Sequence, residues 1–171
     1  VAKIWLTTDT HFGHDKLVDW GRPNDFTDKT IKGYDTYIKP EDTLIHLGDY
    51  ELGNPIDMSK WGRSRILIRG NHDRKSEGYY LDCGFTSVCN AMVLTKYGLN
   101  MYLTHIPREL WDSIDLCIHG HFHGNSHRMG EHEGFYGEKY YEVALEKTNY
   151  QPITLENAIS NWKKEIIKLK Q

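Results

Sequence analysis

Five short apolar runs in this chain each end on residues of the kind that bind metal ions, and that recurrence constrains the fold more than any other feature. The runs are KIWLTTDTH, closing on Asp9 and His11; TLIHLGD, closing on Asp49; RILIRGNHD, closing on Asn71 and His72; MYLTH, closing on His105; and LCIHGHFH, closing on His121 and His123. Short apolar runs bounded by turn residues read as buried strands. In open α/β sheets ligands sit outside the carboxyl ends of such strands, so five clusters at five strand ends point into one crevice.

The spacing between the runs fits a single α/β domain over residues 1–171, because a chain of this length buries one substantial core and no second one of similar size. Residues 14–42 carry Trp20, Phe26, Ile31, Tyr34 and Ile38 among polar residues and read as helix and loop; residues 58–63 hold another helical turn before a strand at 65–69. That order is strand, crossover, strand, crossover, strand. Residues 88–97 and 100–104 flank Gly98 as a hairpin carrying the chain into a second layer of sheet. Tyr141, Val143 and Leu145 alternate as in a half-buried strand. After Pro152, Thr154 is placed to cap a helix whose stripe is Leu155, Ile159, Trp162, Ile166 and Leu169. Its lysines, Lys163, Lys164, Lys168 and Lys170, suit a polar face near a helix C-terminus and need no ligand. Residues 124–137, rich in Gly, His and Glu, read as a mobile loop that includes His127 and His132.

Composition narrows the partners. The net charge of −3, from 21 basic and 24 acidic residues, gives no global field toward nucleic acid or an anionic membrane, so a nucleotide-like substrate has to be recognised locally. Three cysteines, Cys83, Cys89 and Cys117, show neither a zinc-type spacing nor a disulfide framework. The opening VAKIWLTTDTH passes straight into a strand and no long apolar run follows, so the expectation is a cytoplasmic protein without a signal peptide or membrane span.

Carboxylate with imidazole is a borderline donor set suited to Mn, Fe, Zn, Co or Ni, and less to a structural zinc site, which favours thiolates. Asp9 and His11, two residues apart, project to one side; His121 and His123 repeat that spacing between Gly120 and Gly124. Asp49 has two oxygens and can bridge two cations, Asn71 adds a neutral amide oxygen, and His105 adds an imidazole before Pro107. Either histidine pair alone is equally an ordinary turn. Two Asp, one Asn and four His together suffice for two divalent ions with positions left for water and substrate.

The ordered series DTH, GD, GNHD, H and GHFH resembles the metallophosphoesterase (calcineurin-like phosphoesterase) superfamily over nearly the whole chain. The resemblance implies a four-layer sandwich of two mixed β-sheets flanked by helices. It implies Asp9, His11, Asp49 and His123 on one metal ion and Asp49, Asn71, His105 and His121 on the other, with Asp49 bridging and manganese the first expectation. DTHFGH with Arg22-Pro23, and the closing YQPITLENAI, is similar to a compact bacterial and phage branch of that superfamily. His72 resembles the family's histidine that binds no metal but stabilises the transition state or protonates the leaving oxygen, work suited to a residue type that titrates near neutral pH. Asp73 either orients that imidazole or caps the following turn.

Physics supports the same reaction class, since two neighbouring cations lower the pKa of a shared water and stabilise both the attacking and the departing oxygens of a phosphoester. His14, Arg22 and Arg74 are candidate substrate contacts through non-bridging phosphate oxygens. His46 and His119 read as packing residues behind the site. Asp49 is followed by Tyr50, Glu51 and Leu52, not by the Arg-Gly of phosphoprotein phosphatases. The chain is also too short for the extra domain of the larger nucleases on this fold. A small phosphodiester or nucleotide-like substrate is therefore preferred, with a small phosphomonoester as the alternative. A scaffold without catalysis is the alternative of another class, disfavoured by the presence of His72. A zinc deaminase is excluded by the lack of a PCxxC motif.

Overall fold

The computed structural model describes residues 1–125 and 137–170. The expected loop at 124–137, with His127 and His132, lies almost wholly outside them. β1 (Ile4–Thr7), β2 (Thr43–His46), β3 (Ser64–Ile68) and β4 (Ser87–Cys89) run parallel, and β9 (Ile153–Thr154) closes the sheet antiparallel to β1, in the order β4-β3-β2-β1-β9. The second sheet has the order β5-β6-β7-β8. β5 (Ala91–Lys96) is antiparallel to β6 (Leu99–Thr104), and β7 (Leu116–His119) and β8 (Tyr140–Glu142) continue in parallel. The fold is thus α/β, with two mixed sheets flanked by helices.

The period of two in the strands separates two cores. Leu6, Ile45 and Ile68 face the second sheet and pack with Met101, Leu103, Leu116, Ile118 and Tyr141. Trp5, Leu44 and Leu67 face outward and pack with Tyr34 and Ile38 around α1 (Phe26–Tyr37) and with Tyr80 of α2 (Glu77–Asp82). The last helix, α3 (Leu155–Leu169), starts where the Thr154 hydroxyl accepts the Asn157 N–H at 3.2 Å, and buries Leu155, Ala158, Ile159 and Trp162 in the inter-sheet core. Its apolar stripe was expected to run through Leu169, but that residue is exposed, and Ile166 is the last of the stripe to pack against the core. No described helix is long and apolar enough to cross a membrane.

The stretch at 88–97 is not one strand. β4 ends at Cys89 in the first sheet and β5 begins at Ala91 in the second, so the chain changes sheets at Asn90. Parallel pairing of β1 with β2, of β2 with β3, and of β6 with β7 brings their carboxyl ends to one edge of the sandwich.

Asp42 ties the opposite edge together. Its carboxylate accepts the N–H groups of Lys3 (2.8 Å) and Lys39 (2.9 Å) and the Trp5 indole N–H (2.8 Å). Burial pushes its pKa up, but these donors outweigh that and hold it below the usual carboxylate value. Asp42→Ala is expected to cost roughly 3 kcal/mol, the scale of losing charge-assisted hydrogen bonds and leaving their donors unpaired. Because the folded-state pKa is lowered, this contribution is complete above the ordinary value of about 4 and is lost as the pH falls through the folded value. Urea unfolding at neutral and acid pH should show the gap between wild type and variant closing in acid; a constant gap would contradict it.

Candidate metal centre

All five ligand-bearing segments meet at the shared carboxyl edge. Among the described residues, Asp9, His11 and His123 form one group able to hold a metal ion, and Asp49, His105 and His121 form a second. Within each group the donor atoms lie within 4.8 Å of one another. Asp49 Oδ2 stands between the groups, 3.6 Å from His11 Nε2 and 3.3 Å from His105 Nε2. The Asn71 amide oxygen lies 3.1 Å from His105 Nε2, itself 3.2 Å from His121 Nδ1.

The backbone is bent to make this convergence. Of the eight described non-glycine residues with positive φ, five are donors of this site: Asp9, His11, Asp49, His121 and His123, with φ between 45° and 77°. Left-handed conformations cost free energy and cluster at functional sites, where the surroundings over-determine them. Two glycines permit the close approach: a Cβ at Gly70 would collide with the Asp49 carboxylate and main chain, and one at Gly120 would collide with Thr8 and Asp9.

Neighbouring groups orient the donors. The Thr8 hydroxyl (2.6 Å) and the His121 N–H (2.9 Å) donate to Asp9 Oδ2, leaving Oδ1 toward His123 Nε2 at 3.3 Å. His105 Nδ1 donates to the Leu47 carbonyl at 2.8 Å, which turns Nε2 into the site. Asp9 Oδ1 and both ring nitrogens of His11 are buried without a hydrogen-bond partner, the condition a cation would relieve. Burial raises the Asp9 pKa, but His123, His105 and His11 outweigh it and hold the carboxyl well below the usual range. Burial likewise lowers the His105 pKa, while Asp9 and Asp49 hold it up to about 9. The same two buried negative charges would draw a divalent cation in place of that proton.

His72 sits at the mouth. Its N–H donates to Asp49 Oδ1 at 2.9 Å, while its partly exposed ring reaches within 4.0 Å of Asp49 Oδ2 and lines a cleft of about 230 Å³ shared with Arg74 and Tyr79. Asp73 does not orient that ring. Its two oxygens accept the main-chain N–H groups of Asp49 (2.7 Å), Tyr50 (3.0 Å) and Gly70 (2.8 Å), so it caps its own turn and clamps the loop carrying Asp49.

Arg22, expected to meet substrate, lines the cleft beside Trp20 and His123 but is held by partners of its own. It is 5% exposed, and its guanidinium pairs with Glu146 at 2.7 Å and lies 2.9 Å from His123 Nδ1, whose own proton is directed at the Glu146 carboxylate. It acts on the site through His123. Glu146, 3.2 Å from the same Nδ1, went unnoticed in the sequence, where nothing local marks it. His14 borders His11 at 6.0 Å between ring centres, next to the exposed Trp20. Arg74 is exposed and donates to the Asn71 carbonyl at 3.0 Å. His46 is fully buried between the Thr10 hydroxyl and the Gly48 N–H, and burial brings its pKa down to about 3. His119 is buried too, donating from Nδ1 to the Gly120 carbonyl at 2.9 Å.

No family model matches the chain. It is 27% identical to the uncharacterized protein MJ1445 of Methanocaldococcus jannaschii, over 91% of this chain and 89% of that protein. It is 26% identical to the Gene 66 protein of Mycobacterium phage L5, over 72% of this chain and 78% of that one. Among solved structures, the protein of unknown function AQ665 from Aquifex aeolicus superposes with a TM-score of 0.71 at 23% identity, covering 99% of this chain and 100% of its own. The fold is shared with that protein.

Proposed function

We propose that this chain is a phosphoesterase dependent on two divalent metal ions, manganese first and iron, zinc, nickel or cobalt as alternatives. Asp9, His11, Asp49 and His123 would hold one ion, and Asp49, Asn71, His105 and His121 the other. The observation that carries the reading is Asp49 Oδ2, a single oxygen within 3.6 Å of nitrogen donors from both groups. The donors fit such ions, being two carboxylates, four imidazoles and one amide oxygen with no thiolate. Bound there, the ions supply Lewis acidity and a water of lowered pKa.

The residues of the chain do the rest. Leu47 fixes the His105 ring and Glu146 the His123 ring. Asp73 sets the position of Asp49 through its main chain. His72, held by its own N–H to Asp49 and open to the cleft, protonates the leaving oxygen. His14, beside His11, and Arg74, lining the cleft with His72, would contact the phosphoester. The preferred substrate is a small phosphodiester or nucleotide-like molecule, ahead of a phosphomonoester.

Metal-stripped protein should not hydrolyse bis(p-nitrophenyl) phosphate, and manganese should restore turnover while about two equivalents bind per chain, as a two-ion site requires. Comparison with p-nitrophenyl phosphate ranks diester against monoester. Two bound equivalents with no turnover of either ester would leave a metal-holding interaction module and defeat the enzymatic reading.

A further inference from the structure

Another cleft opens from the metal centre on the side of the second sheet. Its floor is Asn71 and His105, and its walls include Arg69, Asn90, Tyr102 and Arg108. At about 580 Å³ it is larger than the cleft beside His72, at about 230 Å³, and the one beside Trp20 and His123, at about 180 Å³. It falls in the size range of ligand sites, whereas the other two do not.

Its charge is opposite to that of the chain. Among the described residues, Asp73 is the one carboxylate in the lining, and its oxygens are taken up by three main-chain N–H groups. Two guanidinium groups therefore face the cleft in a protein whose net charge is −3. Arg69 is a fixed wall: it lies 5.2 Å over the Tyr80 ring, and Nη1 donates to the carbonyls of Asp73 (3.2 Å) and Lys75 (2.7 Å). Arg108 is exposed on the turn after His105, and its carbonyl accepts the Tyr140 hydroxyl at 3.0 Å, which steadies the main chain under a side chain that reaches the cleft. Among the described residues no carboxylate pairs with its guanidinium. Tyr102, braced edge-on by Trp111 at 5.2 Å, adds a flat aromatic wall.

A neutral leaving group would gain little from these cations, whereas a planar guanidinium matches a phosphate. We propose that this cleft holds the part of the substrate that does not react, and that it selects molecules bearing a second phosphate, which Arg108 binds. The inference rests on the phosphoesterase reading for its substrate but not for its binding site.

The test uses manganese-loaded protein and the dinucleotide TpT with its 5′-phosphorylated and 3′-phosphorylated forms. Wild type should favour one phosphorylated form over TpT in kcat/KM by about ten- to a hundred-fold, the span of one charge-assisted pair. Arg108→Ala should abolish that ratio and Arg108→Lys should keep part of it; a role in structure alone would lower all three rates together and leave the ratio intact. In parallel, calorimetry should show adenosine 3′,5′-bisphosphate binding more tightly than adenosine 5′-monophosphate to wild type and equally to Arg108→Ala. Equal affinities in wild type, or an unchanged preference in the variant, would overturn the proposal. If no ester is hydrolysed although metal is bound, the enzymatic reading fails and calorimetry still decides whether the cleft binds a second phosphate.

Discussion

Asp49→Asn is expected to slow hydrolysis by on the order of 10³-fold or more, the scale set by removing one preorganised electrostatic group from an active site, and to reduce bound metal below two equivalents. The substitution is nearly isosteric and spares the scaffold. An amide oxygen can still accept the His72 N–H now received by Asp49 Oδ1 at 2.9 Å, and the main-chain N–H of residue 49 keeps Asp73 as its acceptor. Asparagine also tolerates the φ of 55° at this position better than most residues. What changes is the other oxygen. Oδ2 faces His11 Nε2 and His105 Nε2, and replacing it by an NH2 group puts donor hydrogens where two metal groups need a lone pair. One buried negative charge disappears as well, and with it part of the field that holds His105 up to about 9. Elemental analysis after dialysis, together with the rate on bis(p-nitrophenyl) phosphate, checks both halves. A variant with two equivalents of metal and an unchanged rate would refute the bridging role, and a thermal melt in chelator separates that result from misfolding.

The convergence of these donors was legible because a parallel strand pair fixes direction as well as position. Once KIWLT, TLIH and RILI are read as parallel strands, the residues after each must emerge at the same edge, and β1, β2 and β3 pair in that way. The residues that orient the donors had no such signature. Arg22 and Glu146 are 124 positions apart and meet only because the turns after β1 and β8 pack together, a contact that leaves no periodicity in either segment. Asp73 sits in GNHD beside a candidate catalytic histidine, and adjacency in sequence suggested a partnership. A tight turn instead points its carboxylate back at the main chain of Gly70 and Asp49. The change of sheet at Asn90 was hidden for another reason: β4 and β5 are both only partly buried, so their patterns merge into one run. The charged cleft beyond His105 was equally silent, since Arg69 and Arg108 lie on segments after different strands in different sheets.

His72→Ala separates proton transfer from metal binding, because the two functions of this residue lie on different atoms. Its main-chain N–H holds Asp49, and alanine retains that hydrogen bond, so metal content should stay at the wild-type level. Its ring, 5.5 Å from His11 and 4.0 Å at Nε2 from Asp49 Oδ2, is partly exposed to the cleft and is what alanine removes. Loss of a general acid slows a reaction by about 10²- to 10⁴-fold, and the size of the loss should depend on the leaving group. p-Nitrophenolate departs readily without a proton, whereas an alkoxide such as a ribose oxygen does not. The variant should therefore be impaired far more on a dinucleotide than on bis(p-nitrophenyl) phosphate. Equal slowing on both substrates would instead assign the ring to stabilising charge on the phosphate oxygens, since that charge develops whatever leaves. Loss of metal in this variant would move His72 into the ligand set and undo the division of labour between the two imidazole classes at this edge of the sheets.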